Sequence, residues 1–184
     1  MKKHHVCPWY LAYAFDNPLR NLVHEPKRLL SPYVKEGMRV LDIGCGMGYF
    51  SIGMAKLVGD GGAVISVDLQ QKMLDVLIKR AKRAGVDSRI STVLCKDNSL
   101  EVTGKVDFVL AFWVVHEVPE QDGLFNQVKT VLNQGGKMFI AEPKIHVSEK
   151  AFKDSLEIAK KYGFSVAATP ETFISQSVVL TLNS

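Results

Sequence analysis

The sequence predicts an α/β fold built on a mostly parallel sheet, and three observations lead there. Residues 39–50 hold an apolar strand that runs directly into a turn with three alternating glycines and then a helical run. Strand-like and helix-like patterns alternate through most of the following chain, the order of a parallel sheet with crossover helices. Near the end, two strand-like runs flank Pro170-Glu171 closely enough for a hairpin, which adds an antiparallel strand.

Each element has a local reason. The first strand, Val40 to Ile43, carries Asp42 just before Gly44, Gly46 and Gly48. Glycine accepts positive φ and has no Cβ, so this turn can fold tightly and approach a ligand closely. The N–H groups of the next helix point into the same space. Such a crevice at the carboxyl end of a first strand suits a nucleotide cofactor. Met47 to Val58 is apolar nearly all round, which predicts a buried helix ending at Gly59-Asp60-Gly61-Gly62. Ala63 to Asp68 reads as the second strand. Gln70 to Ala84 is an amphipathic helix with Met73, Leu77, Ala81 and Ala84 inward and Lys72, Lys79, Arg80, Lys82 and Arg83 on the solvated face, closed by Gly85. Strands follow at Ile90 to Leu94 and Val106 to Ala111. Pro119-Glu120 starts a helix whose Leu124, Val128, Val131 and Leu132 share a face until Gly135. After a fifth strand through Ile140, Ser148 caps a helix with Phe152, Leu156 and Ala159 inward. Gly163 to Thr169 and Thr172 to Leu180 form the hairpin.

Composition bounds the rest. A chain of 184 residues with 47% apolar and 23% charged residues is expected to fold as one globular domain. No apolar run is long enough to span a bilayer, and no signal-peptide pattern opens the chain. Three irregularly spaced cysteines argue against a disulfide framework, so a cytoplasmic setting is expected. The formal charge of +4 does not make a nucleic-acid partner, because the basic helix face lacks interleaved aromatic or polar readers.

The glycine turn departs from the dinucleotide fingerprint. Counted from Gly44, the third fingerprint glycine falls on Tyr49, and Asp42 would repel a pyrophosphate. A cationic, amino-acid-bearing ligand fits better. With Val40-Leu41-Asp42-Ile43-Gly44-Cys45-Gly46-Met47-Gly48, Asp68 ending the second strand, Lys96-Asp97-Asn98 after the third, Phe112-Trp113 and His116-Glu117 after the fourth, and Gln134-Gly135-Gly136 before the fifth, the chain resembles the class I S-adenosylmethionine-dependent methyltransferases over residues 35–181. That resemblance implies a Rossmann-like methyltransferase fold: a seven-stranded, mostly parallel sheet with a C-terminal antiparallel hairpin. It also implies a single domain over 1–184, with an N-terminal helical lid in 1–34 and the cofactor-binding core in 35–184. The implied cofactor is S-adenosyl-L-methionine, with S-adenosyl-L-homocysteine as product. Asp42 would face its methionine end, and the backbone of Gly44, Cys45, Gly46 and Gly48 would pass beneath it. Asp68 would take the ribose hydroxyls, Leu69 would cover one adenine face, and Asp97 would sit near the adenine amino group. Lys96 and Phe112 complete the expected cofactor set.

The expected acceptor site holds Trp113, His116, Glu142 and Tyr10. His116 is either a general base or a histidine that orders its neighbours. Glu142 either holds a cationic acceptor group or pairs with Lys144, and Glu117 is expected in solvent. Trp9, Tyr10, Tyr13 and Phe15 either form the lid over a small-molecule acceptor or pack on the core. An RNA or protein acceptor and a non-catalytic cofactor-binding role are the alternatives. His4, His5 and Cys7 have metal-ligand chemistry, with His24, His116 or His146 to complete a set. No second ligand pair has a recognised spacing, so no metal is expected.

Overall fold

The computed structural model of the protein describes residues 24–183. The elements, in order, are α1 (Pro26–Leu30), β1 (Arg39–Ile43), α2 (Tyr49–Val58), β2 (Ala63–Asp68), α3 (Gln71–Arg83), β3 (Ile90–Leu94), β4 (Val106–Phe112), α4 (Gln121–Val131), β5 (Leu132–Pro143), α5 (Glu149–Lys161), β6 (Phe164–Ala168) and β7 (Ser175–Leu182). They build one seven-stranded sheet in the order β3-β2-β1-β4-β5-β7-β6. β1 to β5 pair in parallel, while β7 lies antiparallel to both β5 and β6. The chain winds outward from β1 to β3, then returns to place β4 on the other side of β1. The crevice at the carboxyl ends of β1 and β4 is therefore the topological switch point where such sheets bind ligands.

Strand periodicity divides the core into two layers. Val40, Val64, Phe108, Leu110, Phe112 and Phe139 face one side, packed beneath α1, α2 and α3 through Leu30, Phe50, Met54 and Leu77. Leu41, Ile43, Val67, Val109, Ala111, Met138 and Ile140 face the other, beneath α4 and α5 through Phe125, Val128, Phe152 and Ala159. Ser148 caps α5, its Oγ accepting the Ala151 N–H at 3.2 Å.

Three local expectations change. The helix after the glycine turn starts at Tyr49, and one face carries its fully buried residues, Phe50, Ser51, Met54, Ala55 and Val58. Part of the other face meets α1: a Cβ on Gly53 would lie 2.3 Å from the Pro26 ring, so glycine allows the close approach. Ala84 is exposed, because α3 ends at Arg83. The second hairpin strand starts at Ser175 instead of Thr172, since Ile174 turns the chain with φ +54°. Residues 1–23 of the expected lid lie outside the described residues; in its remaining part, Leu30 and Val34 are buried in the α2 layer. No helix among the described residues is long and apolar enough to cross a membrane.

Candidate functional site

The turn after β1 is shaped by three glycines with φ of +66°, +53° and +85° at Gly44, Gly46 and Gly48, but they do different work. A Cβ at Gly44 would lie 2.6 Å from Val114, and one at Gly48 would lie 2.5 Å from Leu77. Those two let the turn pack against the segment after β4 and against α3. A Cβ at Gly46 meets nothing within 4 Å, so this glycine keeps the floor of an open cavity clear.

That cavity has a volume of about 580 Å³. On one side stand Ile43, Gly44, Gly46, Asp68, Leu69 and the loop from Cys95 to Leu100; on the other stand Trp113, Val114, Glu117, Val118, Pro119 and the first half of α4. Asp68 is almost fully buried, at 8% exposure. Its Oδ2 accepts the Gly46 N–H and its Oδ1 the Gln70 N–H, both at 2.9 Å. Burial pushes its pKa up, and the N–H groups of Gln70, Gly46 and Leu69 pull it partly back. A carboxylate offers about four lone pairs, so acceptor capacity remains for a ligand's hydroxyls.

Strand parity explains why Asp42 and Phe112 do not border the cavity. Asp42 falls on the α2 face of β1, where it accepts the Ser51 hydroxyl at 2.5 Å, and Ser66 donates to Ser51 at 2.9 Å. Phe112 shares the face of Phe108 and Leu110, and its ring packs on Phe50 at 4.4 Å and edge-on to His24 at 5.1 Å. Cys45 is buried in the same layer, and burial with the Asp42 and Asp68 charges holds its thiol well above the usual range. Gly48 acts through its fit to Leu77. Gly44, Gly46, Asp68, Leu69, Lys96 and Asp97 do come together around the cavity. Lys96 is the one lysine or arginine among the described lining residues, and it pairs with Glu101 at 3.0 Å. A pyrophosphate would find little cationic help there.

The acceptor-side expectations also divide. Trp113 borders the cavity with φ +61°, held by its N–H to Ala141 O at 2.7 Å and by Nε1 to Ser175 Oγ at 2.8 Å. His116 does not border it. Its Nδ1 pairs with Glu142 Oε2, and its ring stacks on His146 at 6.5 Å. Burial lowers the His116 pKa, but the hydrogen bond and charge of Glu142, with Glu117, outweigh it and the net shift is upward. Glu142 is 2% exposed and faces inward, since it lies on the Met138–Ile140 side of β5. Its Oε1 accepts the Val115 N–H at 2.8 Å, so it clamps the short 3-10 turn Val115–Glu117. Glu117, expected in solvent, borders the cavity. Sequence reasoning quoted Asn98 within Lys96-Asp97-Asn98 without giving it a role and passed over Leu100, Gly123 and Gln127, which also border the cavity; for the last two, the i, i+4 spacing on one face of α4 was the available signal.

Tyr10, Trp9, Tyr13, Phe15, His4, His5 and Cys7 lie outside the described residues. Among those described, no group of three or more histidine, cysteine or carboxylate side chains is placed to hold a metal. Cys95 borders the cavity, and burial with the Asp68 charge pushes its thiol up to about 11, so it is no ready nucleophile.

A family model described as a methyltransferase domain matches residues 34–179. The ubiquinone biosynthesis O-methyltransferase of Rhizobium rhizogenes is 32% identical over 140 residues, 75% of this chain and 53% of that protein. The protein of the same name from Chelativorans sp. is 34% identical over 140 residues, 75% of this chain and 52% of that protein. The chain thus spans about half the length of these curated relatives. A solved SAM-dependent methyltransferase from Aquifex aeolicus superposes with a TM-score of 0.87 at 22% identity, covering 96% of this chain and 100% of its own. A second structure, from Methanococcus maripaludis, gives 0.81 at 15% identity over 100% and 96% of the two chains. At those identities the structures show the shared fold.

Proposed function

This chain belongs to the class I S-adenosylmethionine-dependent methyltransferases, and from that premise we propose that it transfers a methyl group to a hydroxyl of a small aromatic acceptor. One observation carries the reading. A single cavity of about 580 Å³ is bordered both by Gly44, Gly46 and Asp68 and by the largely apolar segment from Trp113 to Pro119. Its size is that of a small-molecule site, and a flat ring fits against Trp113, Val114 and Val118. The O-methyltransferase names of the relatives favour oxygen as the nucleophile.

The residues present fit the cofactor. Asp68 has acceptor capacity for a ribose diol, Gly46 leaves a cradle that a Cβ would fill, and Leu69 and Asp97 border the same end. When bound, S-adenosylmethionine supplies a methyl group on a cationic sulfur. Trp113, Val114 and Val118 exclude water from the acceptor oxygen, and their fixed positions orient it, which is where most of the acceleration arises. We assign receipt of the hydroxyl proton to Glu117, the carboxylate that borders the cavity beside Val118. His116 acts at one remove: through Glu142 it holds the turn that carries Glu117 into the cavity. The free thiols of Cys45 and Cys95 fit a reducing cytoplasmic setting.

The test is incubation with S-adenosylmethionine and a panel of phenols and catechols, beside unmodified RNA and peptides, with mass spectrometry of every product. A methyl ether on a small phenol supports the reading. Methylation confined to RNA or peptide refutes it.

A further inference from the structure

Gln127 joins the two walls of the cavity. It stands on α4, and its carboxamide makes three hydrogen bonds, all to main-chain groups. Oε1 accepts the Leu100 N–H at 2.8 Å, while Nε2 donates to Asn98 O at 3.0 Å and to Gly123 O at 3.2 Å. The polarity of these partners is fixed, so the amide can sit only one way round. Glutamate has the same length but no donors, and lysine has no acceptor.

The loop that Gln127 grips contains Asp97, Asn98, Ser99 and Leu100, all bordering the cavity next to Asp68 and Leu69. The loop is also tied by a short Lys96–Ser99 bridge, the Ser99 hydroxyl bond to Glu101 N–H and the exposed Lys96–Glu101 pair. It also includes Glu101 at φ +54°, a conformation that costs a non-glycine residue energy and persists only where neighbours enforce it. A loop held in this way depends on its tie to α4.

We propose that Gln127 is the positioning residue for the nucleoside end of the site, fixing residues 97–100 so that their polar groups distinguish adenine from other purines. The proposal rests on the methyltransferase reading only in taking an adenosyl cofactor. Gln127→Glu keeps the shape, removes both donors and sets a charge against two carbonyl oxygens. Gln127→Met keeps the length and leaves the Leu100 N–H without its acceptor.

Calorimetric titration of wild type and both variants with S-adenosylhomocysteine and with S-inosylhomocysteine separates positioning from plain stability. Thermal melts run alongside identify any variant that fails to fold, and the other variant then carries the comparison. The wild type is expected to favour the adenosyl ligand by about tenfold or more, the ratio that ~1.4 kcal/mol makes. Each folded variant is expected to lose roughly that factor for the adenosyl ligand and little for the inosyl one, so the ratio collapses towards one. Parallel loss for both ligands, or an unchanged ratio beside a lowered melting temperature, overturns the proposal. A wild type that binds neither ligand refutes the cofactor reading itself, and this inference with it.

Discussion

Replacing Asp68 with alanine tests the centre of the cofactor assignment. The carboxylate is 8% exposed and holds the N–H groups of Gly46 and Gln70, so the substitution removes ligand acceptors and turn acceptors together. A hydrogen bond to a charged group contributes about 1.5–3 kcal/mol. Losing two ribose contacts therefore costs roughly 3–6 kcal/mol before relaxation, and water returning to the vacated space offsets part of that. About 3 kcal/mol is a reasonable lower figure, which weakens binding by more than a hundredfold. Calorimetric titration with S-adenosylhomocysteine reads this directly, with circular dichroism to confirm the fold. A dissociation constant within about threefold of wild type, under the ~0.7 kcal/mol that such a factor represents, would refute the role given to Asp68. The pH dependence has a definite sign. Ligand hydroxyls donate to the ionised carboxylate, and burial raises its pKa in the free protein. Affinity in wild type should therefore fall as pH drops through that raised value, and Asp68→Ala should flatten the profile.

The glycine turn and the histidine clamp give two further outcomes. Gly48→Ala places a Cβ 2.5 Å from Leu77 at φ +85°, and strain plus overpacking should cost about 2–4 kcal/mol, lowering the melting temperature by roughly 5–15 °C. Gly46→Ala meets no protein atom within 4 Å, so it should melt closer to wild type while weakening S-adenosylhomocysteine binding about tenfold or more. The reverse pattern in melts and titrations would mean that the two glycines have exchanged roles. For His116, the folded pKa lies above 6.5, so its protonated pair with Glu142 stabilises fully below that value and fades as pH rises through the folded one. The gap in urea midpoint between wild type and His116→Gln should be wider at pH 6 than at pH 9. An equal gap at both would show that charge plays no part in the clamp.

Strand parity decides which of the expected site residues on strands border the cavity and which do not. Asp68 stands at the carboxyl end of β2, where its carboxylate meets both the Gly46 turn and the cavity, and a strand-end position is legible in sequence. Asp42 and Phe112 also stand at or near strand ends, yet each shares parity with residues beneath α2, Asp42 with Val40 and Phe112 with Phe108 and Leu110. Glu142 likewise follows Met138 and Ile140 inward. That parity was readable in the sequence, but which face a given helix covers depends on the direction of each crossover, which alternating apolar residues do not encode. Gln127 marks a different boundary. Two of its three partners lie 27 and 29 residues away at Leu100 and Asn98, in a loop without hydrophobic period, and the i, i+4 spacing from Gly123 gives the face of α4 but not what that face meets. Here the specificity of the site depends on main-chain groups whose positions only tertiary packing defines. For that reason a change at Gln127 should alter ligand choice although its own side chain is spent on the protein.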